Sequence, residues 1–278
     1  MTSQQTWLVT GAGRGLGRAI TMAALDAGHA VVATVRGAHD LPDSDRLLLR
    51  ELDVRDRAAA YQVVTDAVAR FGSLDVVVNN AGYGLIGAIE EVSEEEAREI
   101  LETDLLGPLW LSQAAIPVMR EQGHGHIIQI STVGAVGTMP TLGLYNAAKW
   151  GLEGFSEAMA AEVAQFGIRV TLAEPGAIAT DWAGASMRFS TPVAAYDGLR
   201  ETLFGSPTVP WPVSDADDGT PASEIAAALL AHVKDPDDAR LRLLLGDDAP
   251  DQVQAALDLR LQDYGRDPRF GGRAPEKT

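Results

Sequence analysis

Tyr145 and Lys149 stand four residues apart in a stretch, Tyr145 to Gln165, whose apolar spacing predicts a helix, so both side chains project from one face and can meet at one reaction centre. An ammonium beside a phenol favours the tyrosinate. Taken alone, the pair also reads as a core tyrosine and a solvated lysine on an amphipathic helix. Near the start of the chain lies Thr10-Gly11-Ala12-Gly13-Arg14-Gly15-Leu16-Gly17. Glycines there let backbone N–H groups approach a pyrophosphate at the start of the next helix, so a phosphate-bearing cofactor fits. The spacing is not G-x-G-x-x-G, and an ordinary tight turn uses the same residues. The chain has no Cys, which removes disulfides, thiolate catalysis and zinc-thiolate sites. None of the five histidines, His29, His39, His124, His126 and His232, has metal-ligand spacing, and no metal is assigned. His124 and His126 alternate with glycines and read as turn residues. The acidic runs at Asp215–Asp218, Asp235–Asp238 and Asp247–Asp251 read as solvated loops.

The elements that must position these groups alternate regularly. Apolar runs predict strands at Trp7–Thr10, Ala30–Val35, Leu47–Leu52, Leu74–Val78, Ile127–Ser131, Ile168–Ala173 and Arg240–Leu245. Helical spacing fills Leu16–Asp26, Asp56–Phe71 and the stretch from the Ser93/Glu96 capping box to Glu121, with a break near Gly107-Pro108. Two more helices follow, one capped by Thr220 with Pro221 and running to Val233, the other spanning Pro250–Asp263. Apolar strands covered on both faces imply an α/β fold, a doubly wound Rossmann-type parallel sheet with helices on each side. At 278 residues and 46% hydrophobic content, one large domain over residues 1–265 is expected. Periodicity lapses between Trp182 and Thr220, and the Gly-, Pro- and charge-rich stretch 266–278 is expected to be disordered.

With the elements in place, four motifs appear in the order found in short-chain dehydrogenases/reductases, and the chain resembles that family over about residues 6 to 182. Thr10, Gly11, Gly15 and Gly17 match its T-G-x-x-x-G-x-G turn; Asn79-Asn80-Ala81-Gly82 follows the fourth strand; Tyr145 and Lys149 match Y-x-x-x-K; Pro175-Gly176 and Thr180 match the segment after the sixth strand. The resemblance implies that the Tyr145 hydroxyl exchanges a proton with a substrate oxygen while a nicotinamide exchanges a hydride with its carbon. It implies that Lys149 lowers the tyrosine pKa and holds the nicotinamide ribose. It further implies cofactor contacts from Gly11, Arg14, Gly15, Leu16, Gly17, Asp53, Val54, Asn80, Ala81, Gly82, Pro175, Gly176, Ile178 and Thr180. Two positions depart from the pattern. The family's catalytic serine falls on Thr132, which keeps a hydroxyl but adds a methyl, or else simply ends a strand. The family's N-x-x-G asparagine is Asp104, either part of the proton relay toward Lys149 or a helix-interior acid.

Val35 occupies the end of the second strand, where an acid would bind the ribose of NAD. Arg36 follows it and Arg14 lies in the glycine turn, so two guanidinium groups can flank a 2′-phosphate. NADP(H) is therefore expected, with NAD(H) also open. Met187, Phe189, Tyr196, Leu199, Leu203 and Phe204 suit a lid over about residues 182–220 that closes on an apolar ketone, aldehyde or alcohol; packing against the sheet would use the same residues. The net charge of −17 repels nucleic acid and anionic membranes. Residues 122 to 148 carry no Asp, Glu, Lys or Arg but are too polar to span a bilayer, and Met1 to Thr6 hold no basic cluster, so a cytoplasmic protein is expected. The resemblance also implies a homo-oligomer, with Trp150, Leu152 and Phe155 as apolar contacts. Activity as a carbonyl/alcohol oxidoreductase leads; a non-catalytic dinucleotide sensor, or an epimerase or dehydratase using hydride transiently, are the other readings.

Overall fold

The structure, a computed structural model, describes residues 4–179, 186–209 and 219–270. In chain order these form β1 (Thr6–Val9), α1 (Gly15–Asp26), β2 (Ala30–Val35), β3 (Leu47–Glu51), α2 (Arg57–Phe71), β4 (Val76–Asn79), β5 (Gly84–Ile86), α3 (Glu94–Leu101) and α4 (Gly107–Gln122). They continue with β6 (Gly125–Ile130), α5 (Gly143–Val163), β7 (Ile168–Pro175), β8 (Ile178–Ala179), β9 (Met187–Phe189), α6 (Asp197–Phe204), β10 (Thr220–Pro221), α7 (Ala222–Lys234), β11 (Arg242–Leu245) and α8 (Ala249–Tyr264).

Seven strands make one sheet in the order β3-β2-β1-β4-β6-β7-β11, every pair parallel. This is the expected doubly wound arrangement. Alternate side chains feed two cores: Trp7, Val9, Val31 and Val78 pack against α1 and α7, while Leu8, Val32, Val77 and Ile127 pack against α2, α4 and α5. The chain reverses its winding between β1 and β4, which opens a crevice at the carboxyl ends of those strands.

Several expectations shift. The break before Gly107-Pro108 is a π turn at Glu102–Leu106, which leaves α3 and α4 on either side. Thr220 does not cap α7: its side chain makes no cap bond there, Pro221 is the boundary residue, and both residues pair with Ile178 and Ala179 as β10. The 182–220 stretch, read as aperiodic, contains β9 and α6 among its described residues. Leu152 is fully buried in the chain's own core rather than offered to another copy, and Trp150 is half-exposed beneath the Arg260 guanidinium. The acidic run at 215–218 and residues 271–278 of the expected tail lie outside the described residues, while 266–270 continue beyond α8 in turns. Among the described residues, no helix is long and apolar enough to cross a membrane.

His126 sits inside β6 rather than in a turn, and anchors a buried polar chain. Arg169 Nη2 donates to His126 Nδ1 at 3.0 Å, so a neutral His126 carries its hydrogen on Nε2 and donates to Thr171 Oγ1 at 2.8 Å. The Thr171 hydroxyl then donates to His232 Nε2 at 2.8 Å, and His232 Nδ1 donates to Asp238 at 2.7 Å. This chain ties α7 to the sheet. Burial above all, then the charge of Arg169, holds His126 well below its ordinary pKa. Its folded pKa is thus lower than its unfolded one, the unfolded chain takes the proton first, and its contribution to stability is lost as pH falls through about 6.5. The thermal midpoint of the protein should therefore drop between about pH 7.5 and 5.5, with a slope approaching ~1.4 kcal/mol per pH unit from this group, and less steeply in His126→Gln. Equal pH slopes for the two proteins would refute the assignment.

Candidate active site

The crevice at the β1/β4 switch widens into a cavity of about 690 Å³, within the range of small-ligand sites. Its floor is the turn between β1 and α1. Gly11 and Gly15 adopt left-handed φ values of 64° and 52°, which suit residues without a Cβ. The turn is pinned by Thr10, whose Oγ1 accepts from Asn80 N at 3.0 Å and Ala81 N at 2.9 Å. Asn80 Nδ2 in turn donates to Thr10 O at 2.8 Å. No acidic residue lies in the first turn of α1 and no side chain caps it, so its N–H groups point to a concave, glycine-lined surface.

Gly11, Arg14, Gly15, Leu16 and Gly17 line this cavity together with Asn80, Ala81 and Gly82. Arg36 and Val54 bound one end; Pro175, Gly176 and Ile178 bound another part of the wall. Arg14 Nη2 donates to Ser186 Oγ at 2.8 Å, whereas Arg36 is exposed and makes no hydrogen bond or ion pair among the described residues. Asp53 stands apart from the rest. Leu52 and Val54 form the wall there, and the Asp53 carboxylate is taken by Arg55, whose Nη2 donates to it at 2.6 Å and holds it below the usual carboxylate range. Thr180 lies outside the described residues.

At the far end of the cavity the remaining candidates converge. Thr132 leaves β6 with extended backbone, accepts from Gly134 N at 3.1 Å, and is hydrogen-bonded to Tyr145. The first turns of α5 place Tyr145 and Lys149 on one face, with the Lys149 ammonium 5.8 Å from the centre of the Tyr145 ring. Lys149 Nζ donates to Ile130 O at 3.0 Å and lies 3.4 Å from Asp104 Oδ2. Asp104 is completely buried on the π turn; its Oδ1 accepts from Tyr83 N at 3.2 Å, and among the described residues its Oδ2 has no hydrogen-bond partner beyond the ion pair. Burial pushes the Asp104 carboxyl up while Lys149 pulls it down, and burial prevails. Burial, then the Asp104 charge, raises the Tyr145 phenol, with the Thr132 hydrogen bond acting against them.

Some site residues have no local signature in the sequence. Tyr83 lines the cavity with its hydroxyl buried and unpaired among the described residues, and burial pushes that phenol up to about 12. Ser131 donates to Glu153 at 2.6 Å, and Arg242 of β11 bridges Glu153 and the buried Glu174, whose carboxyl is raised to about 7 by burial and by Glu153. Asp248 accepts from Ala177 N at 2.9 Å and so fixes the Pro175–Ala177 wall from the far end of the chain.

A family model described as short chain dehydrogenase matches residues 5–189. Oxidoreductase BOA17 of Botryotinia fuckeliana (strain B05.10) is 37% identical over 267 residues, 91% of this chain and 93% of that protein. The 3-oxoacyl-[acyl-carrier-protein] reductase FabG of Escherichia coli (strain K12) is 40% identical over 183 residues, 63% of this chain and 73% of its own. Among solved structures, a short-chain dehydrogenase from Streptomyces avermitilis superimposes with a TM-score of 0.82 at 36% identity, covering 94% of this chain and 97% of that one.

Proposed function

Because the chain belongs to the short-chain dehydrogenase/reductase family and is an oxidoreductase of it, we propose that it interconverts a carbonyl and an alcohol with NADP(H) as the hydride carrier. The observation that carries this reading is the convergence of the Tyr145 hydroxyl, Thr132 and the Lys149 ammonium at one end of a cavity whose floor is a glycine turn at a helix N-terminus.

The glycine-lined concavity suits a dinucleotide. Backbone N–H groups of the turn and of α1 would hold its pyrophosphate, Asn80, Ala81, Gly82 and Val54 its adenosine side, and Pro175, Gly176, Ile178 and Lys149 its nicotinamide side. When bound, a nicotinamide supplies or accepts the hydride. Tyr145 holds the exchangeable proton at its hydroxyl, Thr132 orients that hydroxyl and the substrate oxygen, and Lys149 is anchored by Ile130 so that its charge faces the ring of Tyr145. Asp104 joins this group through Lys149. Of residues 186–209 in the expected lid, Ser186 lines the cavity, and buried Arg200 ties the segment together by pairing with Glu91 and Asp197 and donating to Val193 O at 2.8 Å. The segment's half-buried Met187, Phe189, Leu203 and Phe204 suit a largely apolar substrate.

Arg36, on the cavity wall and without a partner among the described residues, favours a 2′-phosphate, with Arg14 beside the turn as its second guanidinium. A charge-assisted hydrogen bond contributes about 1.5–3 kcal/mol, so Arg36→Asp should weaken preference for NADPH over NADH by roughly 10- to 100-fold. The test is reduced-cofactor consumption over a panel of ketones and aldehydes, run with both cofactors on wild type and Arg36→Asp, beside direct binding titrations. Turnover with NADPH that shifts toward NADH in the variant is expected. Tight cofactor binding without turnover on any compound would replace the enzyme reading with a sensor; an unchanged preference would remove Arg36 from the cofactor site.

A further inference from the structure

The innermost part of the site holds one cation and two acids. Lys149 Nζ lies 3.4 Å from Asp104 Oδ2 and 5.8 Å from the Tyr145 ring centre, and all three residues are buried. The pair is fixed from both sides: Ile130 O takes one ammonium hydrogen, and Tyr83 N holds the other carboxylate oxygen. A carboxyl is a far stronger acid than a phenol, by about six pKa units between free side chains. Asp104 therefore takes the single negative charge that one ammonium can balance. Ionising Tyr145 as well would place a second negative charge in the same low-dielectric pocket, against a cation already neutralised.

We infer that Asp104 sets the protonation state of this site at rest: by occupying the charge of Lys149 it leaves Tyr145 protonated at neutral pH, poised to donate to a carbonyl oxygen, and moves the ionisation that alcohol oxidation needs to higher pH. This rests on the oxidoreductase reading above. In carbonyl reduction the carbonyl carbon gains a hydride with its electron pair from a reduced nicotinamide, the C=O π pair moves to oxygen, and the oxygen takes the Tyr145 proton. The carbonyl is reduced, the nicotinamide is oxidised, and the tyrosinate recovers its proton from solvent. Alcohol oxidation instead needs the tyrosinate at the outset, and Asp104 opposes it.

The other charged groups do not alter this balance. Arg188 of β9 lies over the Tyr83 ring at 4.3 Å but is paired with Glu99 of α3, and Arg55 is shared between Glu99 and Asp53. Glu153, one turn beyond Lys149 on α5, is engaged by Ser131 and Arg242. Electrostatic contributions from burial and from Asp104 act on the Tyr145 phenol in the same sense.

Charge arithmetic supplies the test. The Lys149/Asp104 pair sums to zero in the wild type, to plus one in Asp104→Asn, to minus one in Lys149→Met, and to zero again when both are replaced. Tyr145 ionisation is read in the cofactor-free protein from ultraviolet tyrosinate absorbance, each variant against its own Tyr145→Phe version, since the chain has five tyrosines. Relative to wild type, Asp104→Asn should ionise at a pH lower by about one unit or more, Lys149→Met at a higher pH, and the double variant close to wild type. The alkaline limb of alcohol oxidation should move to lower pH in Asp104→Asn by the same interval. Thermal unfolding of each variant identifies any that fail to fold, and the isosteric Asn retains the carbonyl that accepts from Tyr83. No shift in Asp104→Asn, or a shift to higher pH, overturns the inference, whether or not the wild type turns over. Shifts as expected in a protein with no turnover on any carbonyl would uphold the inference about Tyr145 and overturn the enzyme reading.

Discussion

Tyr145→Phe should lower kcat by roughly 10²- to 10⁴-fold, the usual contribution of a positioned general acid or base. The substitution removes one oxygen and keeps the ring. Because Tyr145 is buried among Tyr83, Leu85 and Ile100, the ring's packing survives, and the cost to stability is confined to the hydrogen bond with Thr132, about 1 kcal/mol. Cofactor affinity should stay within a few-fold, since the glycine turn and both arginines are untouched. Steady-state kinetics beside cofactor titrations separate the two quantities. Retention of most of the activity would mean that the proton comes from elsewhere, and Thr132 would become the first alternative.

Gly17→Ala should be the second most damaging change, and by a different route. Gly17 is buried on the first turn of α1, where an added Cβ would collide with the Asn80 side-chain nitrogen and the Gly11 carbonyl oxygen. Asn80 cannot yield freely, because it donates to Thr10 O while Thr10 Oγ1 receives two backbone N–H groups from the far side. Either α1 moves away from the turn or the turn loses its shape. A forced methyl in a packed site costs about 1–3 kcal/mol, and loss of the donor array should weaken NADPH binding by at least ~10-fold. Gly154→Ala on α5 is the control, because a Cβ there meets nothing within 4 Å. Fluorescence titration with NADPH and thermal unfolding of both variants decide the matter; wild-type affinity in Gly17→Ala would show that the turn does not carry the phosphates.

All seven strands of the large sheet were readable in outline: the central ones are buried on both faces, so Val76–Val78 is an unbroken apolar run and Ile127–Ile130 is interrupted only by Gln129, whereas β3 and β11 at the edges are only partly covered. The two small sheets were not. β8 and β10 hold two residues each, β5 and β9 three, and such strands exist only because remote segments meet. α6 escaped for a related reason: its innermost residue is Arg200, satisfied by Glu91 more than a hundred positions away, so a helix buries a charge where a periodicity search expects an apolar residue.

Within the site, Tyr145 and Lys149 were legible because helix geometry alone puts them together. Thr132 and Asp104 required comparison with a family pattern, and what Asp104 does depends on a 3.4 Å approach between the π turn and α5 that no local spacing encodes. Asp53 stands at the end of its strand as expected, but Arg55, two residues on, competes for its carboxylate. That competition is local and could have been anticipated from the residue pair itself.

The Pro175–Ala177 wall has a bearing on how the protein is made. Its backbone is fastened by Leu245 O, which accepts from Gly176 N at 3.0 Å, and by Asp248, which accepts from Ala177 N. Both anchors come well after the wall in the chain, Asp248 by 71 positions. A nascent polypeptide can therefore lay down the glycine turn and the Tyr145 helix early, yet it completes this wall only after β11 and the start of α8 have left the ribosome. If the wall holds the nicotinamide side as proposed, full cofactor capture waits on residue 248, and chains cut short before it should emerge with half a nucleotide site rather than a weakened whole one.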